Sequence, residues 1–260
     1  MLEEKNVLTT TKGAAGDVSA KEKLIIALDV ETAAEALRLF ELLRGEAGMF
    51  KVGSQLFTSA GPDLVRRLVG GGARVFLDLK FHDIPNTVGA AAREAVRLGV
   101  RLFNVHASGG GEMMRRAAEA TSEEAARLNV ERPRLIAVTV LTSMDDEALV
   151  ETGVASESVE EHVRRLARLA DASGLDGVVA SPHEIRPVRR EVGREGFLVV
   201  TPGVHPSAAA YADQKRVMSP GDAVWSGADF VVVGRAILGS PDPARAARAI
   251  VEEMEQESRQ

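Results

Sequence analysis

Between positions 78 and 88 the chain reads Asp78-Leu79-Lys80-Phe81-His82-Asp83-Ile84-Pro85-Asn86-Thr87-Val88. An acid, a base and a second acid follow closely on the apolar run Val75-Phe76-Leu77. Taking charge out of water is costly, so charges set here need a compensating network or a chemical use as fixed charges, acids or bases. On an extended strand Asp78 and Lys80 point the same way and Leu79 the other. Lys51, inside Met49-Phe50-Lys51-Val52, can reach the same place if the two runs are neighbours. Asp83 stands beyond the run and two residues before Pro85, which suits a helix entrance. A lone Asp-x-Lys is ordinarily a solvated pair worth about 0–1 kcal/mol. Four alternating charges at one mouth, Lys51, Asp78, Lys80 and Asp83, point to chemistry instead.

The elements that would position these charges recur along the chain. Eight apolar runs read as strands: 24–28, 49–52, 75–77, 102–105, 135–140, 177–180, 197–200 and 230–233. Amphipathic stretches lie between them. In 33–44, Leu37, Leu39, Phe40 and Leu43 fall near one face behind a Thr32/Glu35 capping box, and 159–169 repeats the design behind Ser158/Glu161. Strand and helix in alternation imply parallel pairing with right-handed crossovers, and eight such units close into a (β/α)8 TIM barrel, a single domain. An open, doubly wound sheet is the alternative. Barrel enzymes work at the ends of their strands, where polar residues gather here: Asp29, Lys51, Asp78 and Lys80, His106, Thr142 and Ser143, Ser181, Thr201, and Gly234-Arg235.

Composition bounds the function. With 260 residues, 45% of them hydrophobic, the chain is long enough for one large barrel. A net charge of -6 argues against a nucleic-acid binder. The absence of cysteine excludes disulfides, thiolate metal sites and a cysteine nucleophile, and the five histidines show no close ligand spacing. No apolar run nears the roughly 20 residues that span a bilayer, so the expectation is a cytoplasmic protein without membrane partners. Residues 1–20 read as a mobile polar tail ahead of a barrel domain over 21–260, and 252–260 as a fraying helix end.

Gly234 would let backbone approach an anion, and Arg235 offers a planar fork for phosphate at the eighth strand, where barrel phosphate sites are frequent. The 202–226 connection is long enough for a lid, with a helix start at Ser219-Pro220. His106, ahead of Ala107-Ser108-Gly109-Gly110-Gly111, reads as a hydrogen-bonded structural histidine at a helix-entry turn rather than as a second phosphate cradle.

Ala27-Leu28-Asp29, Lys51-Val52-Gly53, the 78–88 stretch, Thr201-Pro202-Gly203 and Val233-Gly234-Arg235, in this order, resemble the orotidine 5'-phosphate decarboxylase family over roughly residues 24–240. The resemblance implies conversion of orotidine 5'-monophosphate to uridine 5'-monophosphate and CO2 without metal or organic cofactor. By matching positions it makes Lys80 the cation and proton donor, with Asp78 beside the departing carboxylate. Lys51 bridges Asp78 and the ribose, and Asp29 accepts from a ribose hydroxyl. Thr142 contacts the base, and Gln214, Gly234 and Arg235 hold the phosphate under a closing lid. It also implies a homodimer with shared active sites, in which Asp83, Ile84 and Thr87 serve the partner's site. His205 stands where a common family pattern has arginine, and an imidazole cannot reproduce that fork. Two rival readings remain: a metal-dependent sugar-phosphate decarboxylase or aldolase of the same superfamily, and a noncatalytic nucleotide sensor.

Overall fold

A computed structural model describes residues 19–154, 158–206 and 218–257. Eight parallel strands close on themselves: β1 (Leu24–Ala27), β2 (Met49–Gly53), β3 (Val75–Phe81), β4 (Leu102–His106), β5 (Arg134–Val138), β6 (Gly177–Val179), β7 (Leu198–Pro202) and β8 (Phe230–Val233). Closure is made by β8 against β1, with Ile25 opposite Val232 and Ile26 opposite Val233. The open-sheet alternative is thereby ruled out.

Each strand is followed by a helix: α1 (Ala33–Leu43), α2 (Ser54–Gly70), α3 (Pro85–Arg97), α4 (Gly110–Leu128), α5 (Val159–Ala172), α6 (Ile185–Glu191), α7 (Pro220–Trp225) and α8 (Pro243–Glu257). Local chemistry explains their starts. Ser158 and Glu161 form the full reciprocal cap. At Thr32 only the forward half appears, Glu35 N donating to its hydroxyl at 3.2 Å. Pro220 occupies the first turn of α7, and Ser219 Oγ accepts from Asp222 N at 2.9 Å. One boundary of the sequence reading moves: Ala20, assigned to the tail, begins a short helix, Ala20–Lys23. Residues 1–18 lie outside the described residues, as does the middle of the expected lid, 207–217.

The two faces of each strand separate two apolar layers. Ile25, Ala27, Met49, Phe76, Leu102, Ile136, Val200 and Val232 fill the barrel interior. Their alternates, such as Leu24, Ile26, Phe50, Leu77, Phe103, Val199 and Val231, pack outward against the helices. By this parity Lys51, Asp78 and Asn104 continue the inward rows of β2, β3 and β4 toward the C-terminal mouth. Thr201 does not. It lies between inward Val200 and Pro202, is fully buried, and its hydroxyl has no hydrogen-bond partner among the described residues. Its expected place at the functional rim is corrected accordingly. Among the described residues no helix is long and apolar enough to cross a membrane.

Helices α3 and α4 are joined through a carboxylate. Glu124 is only 3% exposed and accepts from Arg97 Nε at 2.8 Å and from Arg127 Nε and Nη2 at 2.9 and 2.6 Å. These bonds, Arg127's foremost, push its pKa down to about 2. A depressed carboxylate pKa contributes stability that is present above the ordinary value and lost as pH falls through the folded one. Glu124→Gln should therefore lower Tm at pH 7, by on the order of 5 °C. The gap from wild type should narrow as the pH is taken from 4.5 toward 2, as thermal melts across that range would show.

Candidate active site

At the C-terminal mouth lies a cavity of about 330 Å³. Asp29, Lys51, Asp78 and Lys80 line a charged stretch of it, and Gly203, His205, Gly234 and Arg235 line a further stretch that meets the first where Gly234 approaches Asp29. Phe76, Val138, Val179, Val200 and Val232 form an apolar floor, and Thr142 stands at the edge. Such a cleft suits a ligand with a flat apolar body and a few fixed polar ends.

The charged side is a connected network. Lys51 Nζ donates to Asp29 Oδ1 at 2.9 Å and lies 3.5 Å from Asp78 Oδ2. Lys80 Nζ donates to Asp78 Oδ1 at 2.7 Å. The same oxygen accepts from Asn104 Nδ2 at 2.7 Å, while Asn104 Oδ1 accepts the Lys80 backbone N–H at 2.8 Å. Burial alone would raise the pKa of Asp78. The charges of Lys51 and Lys80 and the bonds from Lys80 and Asn104 outweigh it and hold the carboxyl below its ordinary 3.8. The acid thus stays ionised between two ammonium groups throughout the neutral range.

Backbone geometry adds what simple strand alternation does not supply. From Leu77 to Phe81 β3 advances four residues while β4 advances two, from Phe103 to Val105, so the ladder is interrupted where Asp78 and Lys80 stand. Lys80 has φ 53°, in the left-handed region, at a cost of about 1–3 kcal/mol for a residue other than glycine. Its ammonium nonetheless lies beside Asp78, as the sequence spacing requires. Leu79 packs into the outer layer.

Gly234 follows β8 directly, beside the end of β1. A Cβ there would come within 3.3 Å of Ala27 Cβ and 3.4 Å of Asp29 Oδ2, a tight fit that glycine avoids. Gly203 takes a left-handed φ of 76° to turn the chain away after β7. His205 is held through its N–H, which donates to Met218 O at 3.2 Å.

The cavity brings together Asp29, Lys51, Asp78, Lys80, Thr142, His205, Gly234 and Arg235. It does not include Asp83, Ile84 or Thr87, all exposed at the start of α3, where Asp83 Oδ1 accepts from Ile84 N at 2.6 Å. Gln214 lies outside the described residues. Ser181 caps a turn with Glu184, and His106 Nδ1 is 3.2 Å from Ser108 Oγ with its ring stacked 5.6 Å from His82. Asn104 was not singled out by its sequence. Its signal was a lone amide inside Leu102-Phe103-Asn104-Val105 at an inward position.

Fold and site define a (β/α)8-barrel enzyme whose mouth holds a lysine–aspartate array together with Gly234 and Arg235. The model of the orotidine 5'-phosphate decarboxylase / HUMPS family matches residues 22–250, and the chain belongs to that family. It is 58% identical to orotidine 5'-phosphate decarboxylase of Syntrophotalea carbinolica, over 91% of this chain and 96% of the relative. The same enzyme of Moorella thermoacetica is 56% identical, over 91% and 93%. Among solved structures, orotidine 5'-phosphate decarboxylase from Lactobacillus acidophilus superposes with a TM-score of 0.79 at 35% identity, covering 89% of this chain and 98% of that one.

Proposed function

We propose that the chain decarboxylates orotidine 5'-monophosphate (OMP) to uridine 5'-monophosphate (UMP) and CO2 in pyrimidine synthesis, with Lys80 as the cation and proton donor at the reacting carbon. The observation that carries the mechanism is Asp78 held between the two ammonium groups of Lys51 and Lys80, in a cavity that Arg235 also lines. Cleavage of the carbon–carboxylate bond leaves its electron pair in the plane of the pyrimidine ring, where no π system takes it up. A preorganised ammonium group beside that carbon stabilises the pair and then delivers a proton to it, and CO2 departs. The lysine regains its proton from solvent, so one proton is consumed per turnover.

Asp78 serves two purposes in this reading. It holds Lys80 charged and oriented before substrate arrives, since unit charges about 4 Å apart attract by roughly 4 kcal/mol at an effective dielectric of 20. It also lies beside the departing carboxylate, which leaves as a neutral molecule. Lys51 spans from Asp78 to the ribose, whose hydroxyl Asp29 accepts, and the base lies over the apolar floor near Thr142. Gly234 and Arg235 take the phosphate, with His205 and Gln214 as further contacts. Asp83, Ile84 and Thr87 complete the site of a partner subunit in a homodimer. Their position outside their own cavity and the 67% exposure of Ile84 support that arrangement.

Lys51 also weighs against the metal-dependent rival. Its ammonium occupies the space between Asp29 and Asp78 that a divalent ion would need, and like charge repels it. The array is complete in this chain, which a sensor would not require. The reading is tested by turnover of OMP, followed as the change in pyrimidine absorbance. A second expectation concerns the phosphate grip: Arg235→Ala should raise KM for OMP by about 100-fold, the scale of a lost charge-assisted bond pair. Its turnover of orotidine, which lacks the phosphate, should match that of the wild type.

A further inference from the structure

We propose that Asn104 is a positioning residue for this reaction: it locks the Asp78–Lys80 pair into the geometry in which the lysine meets the reacting carbon. The inference rests on the decarboxylase reading above and adds a residue to it. Asn104 is 1% exposed and follows Leu102 in the inward row of β4, directly above the apolar layer of the barrel interior. An amide in that place has to be fully bonded to be tolerated. Both of its side-chain bonds end on the pair, with Nδ2 on Asp78 Oδ1 and Oδ1 on the Lys80 N–H.

The chemistry of the two partners fixes the amide in one orientation. A backbone N–H only donates and an ionised carboxylate only accepts, so a flipped Asn104 would lose both bonds. The same residue repairs the break in the strand ladder. Where β3 slips against β4, the Lys80 N–H bonds to the Asn104 side chain, and that bond holds the left-handed turn at Lys80. The Asp78 oxygen that receives the lysine ammonium is also the one held by Asn104. One side chain thus sets the backbone of the cation and the carboxylate that aims it, and it has no part in the phosphate grip of Gly234 and Arg235.

The test uses two variants and three readouts. Asn104→Leu keeps similar bulk but removes both bonds. Asn104→Asp keeps an acceptor for the Lys80 N–H, removes the donor to Asp78 and sets a like charge beside it. Both should lower kcat for OMP by about 100-fold, the scale of a small misplacement of a reacting group. The Kd for UMP should stay within about twofold of wild type, since Arg235 and Gly234 supply most of the grip. In a Lys80→Ala background Asn104→Leu should cost less than about threefold, because groups acting as one unit are not additive.

A merely structural asparagine would lower Tm or weaken UMP binding without this split. The proposal is overturned by a kcat within about threefold of wild type, by a loss carried in UMP affinity, or by an undiminished loss in the Lys80→Ala background. If the leucine variant does not fold, the kcat and UMP Kd of Asn104→Asp decide alone. A wild-type protein that binds UMP but does not turn OMP over would bring down the decarboxylase reading itself, a result distinct from any failure confined to the Asn104 variants.

Discussion

Lys80→Ala should lower kcat for OMP by at least about 10⁴-fold, because one substitution removes both the charge that stabilises the developing electron pair and the proton that quenches it. General acid catalysis and an aimed charge are separate contributions, and Lys80 carries both in this account. The ammonium is the cation nearest Asp78, at 2.7 Å, so its loss also leaves Asp78 with one cation fewer. Lys51 does not replace it, since its closest partner is Asp29 at 2.9 Å and it reaches Asp78 only at 3.5 Å. UMP has no carboxylate to repel and its phosphate lies at Arg235, so UMP binding should persist in the variant. Steady-state kinetics together with a UMP titration checks both halves, and a variant that keeps even a hundredth of wild-type kcat would remove Lys80 from its assigned role.

Asp83→Ala should be nearly as damaging, at about 10³-fold in kcat, yet its defect should be repaired by mixing with the Lys80→Ala protein. Neither homodimer has a complete site if Asp83 serves the partner. A heterodimer of the two has one site that lacks both groups and one that lacks neither. After exchange of subunits in equal amounts, activity should return to about a quarter of wild type, because half of the dimers are mixed and each mixed dimer holds one intact site of two. Asp83 is exposed at the entrance to α3 and absent from its own cavity, as a shared site requires. Recovery measured after mixing, against each variant alone, is the readout. A mixture no more active than its components would place Asp83 in its own subunit's chemistry or in none.

The barrel was legible because each strand carries its own apolar run at a spacing that leaves room for a helix, and closure of β8 on β1 follows from eight such units. The charged mouth was legible because Lys51, Asp78 and Lys80 continue inward rows past the apolar layer. Boundaries moved where apolar run and hydrogen-bond ladder differ. β3 continues to Phe81 through charged residues, and β5 stops at Val138 although Thr139 and Val140 prolong the apolar pattern. Thr201 was misplaced because polarity at a strand end does not say which face it occupies, and its neighbours Val200 and Pro202 take the inward one. The left-handed turn at Lys80 and the clamp by Asn104 left no local mark. They depend on the slip between β3 and β4, a property of two strands together.

The central claim is that the Lys51–Asp78–Lys80 array performs the decarboxylation with its own side chains. The most direct measurement follows pyrimidine absorbance with OMP in excess chelator, for the wild type and Lys80→Ala side by side. Turnover that is indifferent to chelator and collapses in the variant is the predicted result. Activity that disappears with chelator and returns with added magnesium, or nucleotide binding with no turnover in the wild type, would contradict it.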